Sequence, residues 1–151
     1  MARRDMALCL ALSGLTAIAA ARTTADPEIW MPVNPNAKAI TGRITFTPGE
    51  IAFQNGKSLR LVRGGQMLFR PEPRQMHVMA ELYRIAPPDD PILENGNRLC
   101  KGKPVSYLII WQPEQTDKKA DPRGLAPFSG ANLNSGSADD CGRYLYDAGP
   151  H

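Results

Sequence analysis

The sequence has few of the residues from which catalytic and metal sites are usually built. Its 151 residues include two histidines, and one of them, His151, is the last residue. A zinc site needs three or four nitrogen, sulfur or carboxylate ligands, so we interpret His77 as a strand residue and not as a ligand. The chain has no G-x-S-x-G pattern for a serine nucleophile and no glycine-rich phosphate loop followed by a helix.

Carboxylates are present, but none of them forms a recognisable acid–base pair. Glycosidases need two placed carboxylates, and a calcium loop needs a D-x-D-x-D-G spacing that the chain lacks. Adjacent aspartates point apart on an extended chain, so we interpret both aspartate pairs as surface turns. We expect no catalytic residues, no cofactor and no metal, and therefore a protein that is not an enzyme. The carboxylates considered are Glu72, Glu81, Glu94, Asp89–Asp90 and Asp139–Asp140.

The chain also lacks a strong excess of charge of one sign. It has 18 basic and 15 acidic residues, a net charge of +3 at pH 7. Two of the basic residues and one acidic residue lie in the first 21 positions, which leaves a net charge of +2 for the remainder. This excess is too small to indicate a nucleic-acid partner. The basic residues between Lys57 and Lys103 could bind an acidic protein or an anionic envelope glycan. The alternative is that they form part of a mixed, solvated surface.

Only one long apolar run is present, and it stands at the start of the chain. Arg3 and Arg4 precede the run Met6–Ala21, which ends in small residues, as a secretory signal peptide does. We predict a signal peptide over residues 1–21, cut before Ala20 or before Arg22. A retained anchor is the alternative, but a span needs about 20 apolar residues and this run is shorter. We expect a periplasmic or extracellular protein with no membrane span after cleavage.

Cysteine is scarce, with three residues in the chain. Cys9 lies in the predicted signal peptide, and its position before most of the apolar stretch argues against acylation as in a lipoprotein. Cys100 and Cys141 remain, and in an oxidising compartment two lone cysteines most simply form one disulfide. Free thiols or an intermolecular bridge are the alternatives. Neither cysteine lies in a C-x-x-C redox motif, which favours a structural bridge.

The chain after the signal peptide has the size and pattern of one small β-rich domain. Cleavage would leave about 130 residues, an ordinary domain length. Residues 22–37 contain three prolines and are interpreted as an extended leader, and residues 38–151 as the domain. Val105–Trp111 is apolar on both faces, which predicts a central strand. Met76–Ile85 has a period nearer two than 3.6 and is predicted to be a strand, with a helix as the alternative.

Turn signals separate the predicted strands. Thr47–Glu50 has turn chemistry, and Asn55–Gly56 is a strong hairpin signal. Gly64–Gly65 is expected to end a strand, and Ala86–Pro91 to form an extended or turning loop. Short strands at turn-rich spacing predict a mainly β fold, a small antiparallel barrel or sandwich with one disulfide.

Four stretches resemble a group of small secreted bacterial proteins of unknown function. They are Ile40–Phe46, Phe53–Leu59, Leu82–Pro88 and Asn95–Cys100, and they are spread over most of the chain after the signal peptide. The resemblance implies secretion but no activity.

The chain is similar, more loosely, to the periplasmic inhibitors of c-type lysozyme. That resemblance implies a small antiparallel barrel with a disulfide, which inserts a loop bearing serine and glycine into the lysozyme cleft. The corresponding stretch is Phe128–Ala131, with Ser129 and Gly130 as the binding loop. Leu133 stands where the serine-glycine-x-x-tyrosine pattern of that family has its tyrosine.

We therefore expect a small secreted binding module of unknown ligand, inhibitor-like in its loop. An envelope-associated structural or accessory protein is the alternative. The sequence leaves the choice between a protein and an envelope glycan partner open, together with the oligomeric state.

Overall fold

A computed structural model of the chain describes residues 25–150. The predicted signal peptide and Cys9 lie outside the described residues, as does His151. Within residues 25–150, no helix is both long enough and apolar enough to cross a bilayer.

Eight antiparallel strands form a closed barrel, and each strand pairs with its neighbours in the sequence. The first strand pairs with the last and so closes the ring. The predicted fold class, mainly β with a small antiparallel barrel and one disulfide, is confirmed. The strands, β1 to β8, are Glu28–Pro32, Ile44–Thr47, Glu50–Phe53, Ser58–Phe69, Val78–Asp89, Val105–Trp111, Pro122–Phe128 and Tyr144–Asp147.

Two tight turns predicted from the sequence connect β2, β3 and β4. Between β2 and β3, the amide of Glu50 donates a hydrogen bond to the Thr47 hydroxyl at 3.1 Å. Between β3 and β4, Gly56 has a φ of 85°, a conformation that glycine adopts without steric cost. The Asn55 side chain accepts the amide of Lys57 at 3.1 Å. Residues within the two turns therefore determine how β2, β3 and β4 are connected.

The two longest strands run beyond their expected ends. β4 does not stop at Gly64–Gly65 but continues to Phe69, with a register shift between Arg63 and Gly65. Gly65 has a φ of 100°, so the glycine pair forms a bulge inside the strand instead of ending it. β5 is a strand, as preferred from its period, and it continues to Asp89 through most of the predicted loop Ala86–Pro91.

The structure differs most from the sequence interpretation at the leader. Residues 28–32 form β1, which lies between β2 and β8 and belongs to the barrel. Trp30 of this strand is 1% exposed. Its ring stacks on Phe46 with 4.8 Å between centroids and lies 5.9 Å from Tyr146. The leader expectation missed this strand because one of its two partners, β8, lies near the other end of the sequence, and a five-residue strand next to prolines has little local pattern.

The inward-facing residues fill the barrel and one end of it is closed. A turn of π-helix at Ala37–Thr41 and a 3-10 turn at Glu94–Gly96 contact each other at this closed end. The buried hydroxyls of Thr41 and Tyr146 share a hydrogen bond of 2.7 Å. Burial raises the pKa of Tyr146, although the hydrogen bond with Thr41 opposes the rise. The closed end is therefore held by packing together with a polar contact.

A disulfide joins Cys100 and Cys141 at the closed end, with 5.0 Å between the two Cα atoms, as predicted. A second apolar cluster lies on the outer side of the sheet, where residues 129–141 pass over it. This cluster is centred on Phe69, Ile109, Trp111, Ala126 and Phe128.

Candidate functional site

Unequal strand lengths leave the opposite end of the barrel open on one side. β4 and β5 have 12 residues each, whereas β2 and β3 have four. β3 pairs with β4 over Ser58–Arg60, and from Leu61 to Phe69 the partner of β4 is β5. The inner face of the sheet therefore continues past the closed ring. We call this extended inner face, together with the rim around it, the mouth.

The wall of the mouth carries two exposed apolar side chains. Leu68 of β4 lies directly opposite Met79 of β5 in the register. Leu68 is 64% exposed and Met79 is 57% exposed. Glu81 pairs with Ile110 and Tyr83 with Leu108 in the next strand pair, so Met79 lies on the side of the sheet that fills the barrel.

A polar network stands beside this apolar pair. Arg63 forms an ion pair with Glu81, with 2.8 Å between Nη2 and Oε2. The Gln66 amide donates to the other oxygen of Glu81 at 2.9 Å. The hydrogen bond from Gln66 lowers the pKa of Glu81, and the hydrogen bond and positive charge of Arg63 lower it further. Burial of the carboxylate opposes this decrease but does not outweigh it. Glu81 is therefore ionised at neutral pH and both of its oxygens are occupied.

A second arginine lies across the mouth. Arg123 of β7 donates to Asp121 at 2.9 Å and lies 3.7 Å from a carboxylate oxygen of Glu28. The same oxygen of Glu28 accepts the indole N–H of Trp30 at 2.8 Å. Between the two arginine networks is a depression of about 230 Å³. Its lining includes Gln66, Met79, Glu81, Ile110, Gln112 and Arg123.

Aromatic side chains lie below the polar rim. Tyr83 is 6% exposed and meets Phe46 edge-on at 5.9 Å. Burial raises the pKa of Tyr83, and the charge of Glu81 adds to the rise while that of Arg63 opposes it. The mouth thus combines fixed charges, a protonated phenol and exposed apolar groups. Such an arrangement can recognise a partner by shape and charge.

The sequence predicts a disulfide between Cys100 and Cys141 and a binding loop at Ser129 and Gly130. Three of these four residues surround one depression at the closed end. Ser129 stands with Cys100 and Cys141 around a volume of about 300 Å³, which Lys101 and Lys103 also line. Gly130 lies next to it in sequence. A Cβ atom on Gly130 would come within 2.5 Å of the Asp139 carboxylate, so a larger residue here would displace that side chain.

The predicted binding loop is anchored on both sides. The amide of Ser129 donates to the carbonyl of Asp139 at 2.9 Å, and the Ser106 hydroxyl donates to the carbonyl of Ser129 at 3.2 Å. These bonds fix the start of the loop against β6 and against its own end. The role of Ser129 and Gly130 in binding stays a prediction.

Asp140 organises the end of the same loop. Its carboxylate pairs with Arg143 at 2.6 Å and accepts the amides of Gly136 and Gly142. Burial alone would raise the pKa of Asp140, but the hydrogen bonds from Arg143, Gly136 and Gly142, with the charge of Arg143, outweigh it and lower the pKa. The guanidinium of Arg143 also lies 5.2 Å from the ring centre of Phe69. Asp140 therefore has a structural role in the loop.

Asp90 is not the surface residue that the sequence interpretation expected. It is 3% exposed. Its carboxylate accepts the backbone amides of Leu99, Cys100 and Gly102 at 2.9, 3.0 and 2.7 Å. The sequence reasoning missed this role because these donors lie nine to twelve positions further along the chain. Asp89, its neighbour, is exposed.

The sequence reasoning also missed the mouth as a site. It considered Glu81 only by residue type, and it did not single out Leu68, Gln66 or Arg123. The one usable signal in the sequence is the apolar run Met67–Phe69, which follows the glycine pair that we expected to end the strand. In the described part of the chain, no three His, Cys, Asp or Glu side chains are grouped as metal ligands would be.

Comparison of the chain with protein-family models, with curated proteins and with solved structures finds no match.

Proposed function

We propose that the protein is a secreted binding module, periplasmic or extracellular, and that the mouth of its barrel holds a segment of a partner protein. The observation that carries this proposal is the exposed pair Leu68 and Met79, on the sheet face that continues from the barrel interior and lies beside the ion pair of Arg63 and Glu81. Apolar groups bordered by polar ones are typical of protein–protein contact sites.

The residue types at the mouth suit a protein partner. Methionine and arginine are both enriched in protein interfaces. Met79 is flexible and polarizable, so it can adapt to different apolar side chains. Arg63 is paired with Glu81, and Arg123 with Asp121, so neither cation is left buried without a counter-charge. The charged side chains of this rim are therefore already paired within the chain when a second protein covers them.

The edge of β4 next to the mouth suits an extended segment of that partner. Within residues 25–150, β4 has no strand beside it on the β3 side after Leu61, and residues 62–66 are all exposed. An extended peptide can add to such an edge through backbone hydrogen bonds. The bulge at Gly64–Gly65 and the charge of Arg63 discourage pairing with a second copy of the same edge.

Site-specific photo-crosslinking tests the proposal in cells that secrete the protein. A photoreactive residue at position 79 should trap a discrete partner, because its side chain reaches from the wall of the mouth. The matched control is position 92, since Ile92 is also apolar and 51% exposed but lies in the loop between β5 and β6. Equal products from both positions, or none from position 79, would contradict the proposal.

A pair of variants gives the affinity readout for the trapped partner. The double substitution Leu68→Glu with Met79→Glu should weaken its binding at least tenfold, because two acidic groups replace the apolar contact. Ile92→Glu should leave the affinity unchanged. Since all three side chains are exposed, thermal unfolding of the variants should match that of the parent.

A second candidate function is inhibition of c-type lysozyme through Ser129 and Gly130. Its support is the resemblance of Phe128–Ala131 to the inhibitor loop, and the position of Ser129 at the edge of the depression beside the disulfide. A lysozyme activity assay with the parent and with Ser129→Arg tests this candidate. Absence of inhibition at micromolar protein would contradict it.

The remaining alternative is an accessory role at the cell envelope. The same crosslinking experiment addresses it, because products that sediment with the envelope fraction would assign the protein there. Freely soluble protein without envelope crosslinks would argue against that role.

A further inference from the structure

We propose that the closed end of the barrel binds an acidic oligosaccharide, whose sugars bear carboxylate or phosphate groups, around Lys101 and Lys103. This site is distinct from the mouth and does not depend on the protein partner proposed there.

Two adjoining depressions provide the space. One has a volume of about 300 Å³ and is lined in part by Lys103 and Ser129. The other has a volume of about 490 Å³ and is lined in part by Arg98 and Tyr144. Both are lined by Lys101, so this side chain stands at the boundary between them. Together they form one surface, the disulfide-end groove, which can accommodate more than one sugar.

The cations of the groove have no carboxylate partner. Across residues 25–150, neither Lys101 nor Lys103 forms an ion pair within 4.0 Å, and Arg98 donates to the backbone carbonyl of Asp90. The acidic side chain that lines the groove, Asp140, is neutralised by Arg143. The arginines of the mouth, by contrast, are paired. The groove is therefore the end of the barrel where an anion would find unpaired positive charge.

The backbone that carries these cations is fixed before any ligand arrives. Lys101 has a φ of 55°, which is uncommon for a residue with a side chain. The amides on either side of it, those of Cys100 and Gly102, donate to the buried carboxylate of Asp90. Cys100 is also held by the disulfide to Cys141. Binding therefore costs little loop ordering, since the backbone is already held in place.

The other lining groups suit sugars. The side-chain amides of Asn36 and Asn97 donate to the carbonyls of Arg143 and Ala39, which leaves their own oxygens to accept from sugar hydroxyls. Ile40, which is half-buried, and Ala138, which is exposed, provide apolar surface. Nucleic-acid binding usually needs exposed aromatic rings for base stacking. The aromatic residue lining the groove is Tyr144, which is 1% exposed. The groove thus favours an acidic glycan over a nucleic acid.

Isothermal titration calorimetry on the full secreted chain tests the proposal with defined probes. Tetragalacturonate and a phosphorylated tetrasaccharide are the two acidic arms, and the tighter of them identifies the anionic group. Maltotetraose is the neutral control, and tetrathymidylate is the nucleic-acid control. We expect at least one acidic sugar to bind tenfold more tightly than both controls and to weaken as salt is added.

Single substitutions locate the site. Lys101→Asn and Lys103→Gln should each weaken binding of the acidic sugar about fivefold, the size of an exposed charge contact. Asparagine is chosen at position 101 because it tolerates the left-handed backbone. Lys118→Gln removes the same charge from the exposed segment between β6 and β7 and should have no effect.

Three results would overturn the proposal: no binding of either acidic sugar at millimolar concentration, equal binding of tetrathymidylate, or an affinity that Lys101→Asn and Lys103→Gln leave unchanged. The double variant at Leu68 and Met79 should bind the acidic sugar as the parent does. Failure of the glycan proposal can thus be distinguished from failure of the proposal that the mouth binds a protein.

Discussion

At the scale of single residues, buried or half-buried polar side chains hold the loops of this barrel in place. Asp90 gathers three backbone amides at the closed end. Asp140 and Arg143 connect the segment 129–141 to the strands beneath it. A buried acceptor is expensive to remove because its donors are then left without partners in an apolar environment. Substitution of these residues should therefore lower the free energy of unfolding more than substitution of the same amino acid at an exposed neighbouring position.

The first prediction compares two adjacent aspartates. Asp90→Ala should lower the free energy of unfolding by about 3 kcal/mol, since three amides lose a charged acceptor. Asp89→Ala, at an exposed position with a single local hydrogen bond, should change it by less than about 1 kcal/mol. Urea denaturation measures both values. Equal effects of the two substitutions would show that Asp90 does not have the structural role assigned to it.

At the scale of elements, the short strand β1 completes the barrel. It pairs with β2 through residues 28–30 and with β8 through residues 31–32. Its inner face places Trp30 against Phe46 and Tyr146, while Ile29 and Met31 point outward and are exposed. The backbone of β1 thus pairs with β2 on one edge and with β8, near the end of the sequence, on the other. Its stability comes from tertiary packing and not from local preference.

The second prediction separates these two faces of β1. Trp30→Ala should destabilise the protein by about 4 kcal/mol, because it leaves a cavity among buried aromatic rings. Ile29→Ala, at a side chain that is 50% exposed, should cost about 1 kcal/mol or less. Thermal and urea unfolding should agree on this order. Similar losses for both variants would place Trp30 outside the core.

At the scale of the whole molecule, the two ends of the barrel differ in construction. One end is closed by two short helical turns and a disulfide, and within residues 25–150 its cations Arg98, Lys101 and Lys103 have no carboxylate partner. The other end opens along the long strands β4 and β5, and its cations are paired with carboxylates. The two proposed binding activities follow this difference, with a protein segment at the mouth and an acidic glycan in the disulfide-end groove.

The third prediction concerns the disulfide, which links residues 41 positions apart. Reduction should expose two thiols and lower the melting temperature, because the unfolded chain regains the entropy of a loop worth about 4 kcal/mol. Thiol titration and thermal unfolding with and without reductant measure both effects. Two free thiols in protein purified without reductant would contradict the structural bridge.

The sequence by itself determined the turns, the strands with a strong period and the type of fold. Asn55–Gly56 and Thr47–Glu50 are local signals, since a few neighbouring atoms decide the conformation. Val105–Trp111 is apolar at every second and most intervening positions, so burial on both faces could be inferred without its partners. The pairing of Cys100 with Cys141 followed from their number.

Only the tertiary structure decided the rest. β1 depends on partners at both ends of the chain, and Gly64–Gly65 forms a bulge because β5 continues to pair beyond it. Asp90 is buried where amides nine to twelve positions further along the chain converge on its carboxylate. The mouth exists because neighbouring strands differ in length, and the groove because one disulfide brings Lys101 and Ser129 together. Each of these features is a relation between residues that are not neighbours in the sequence, and no local pattern records such a relation.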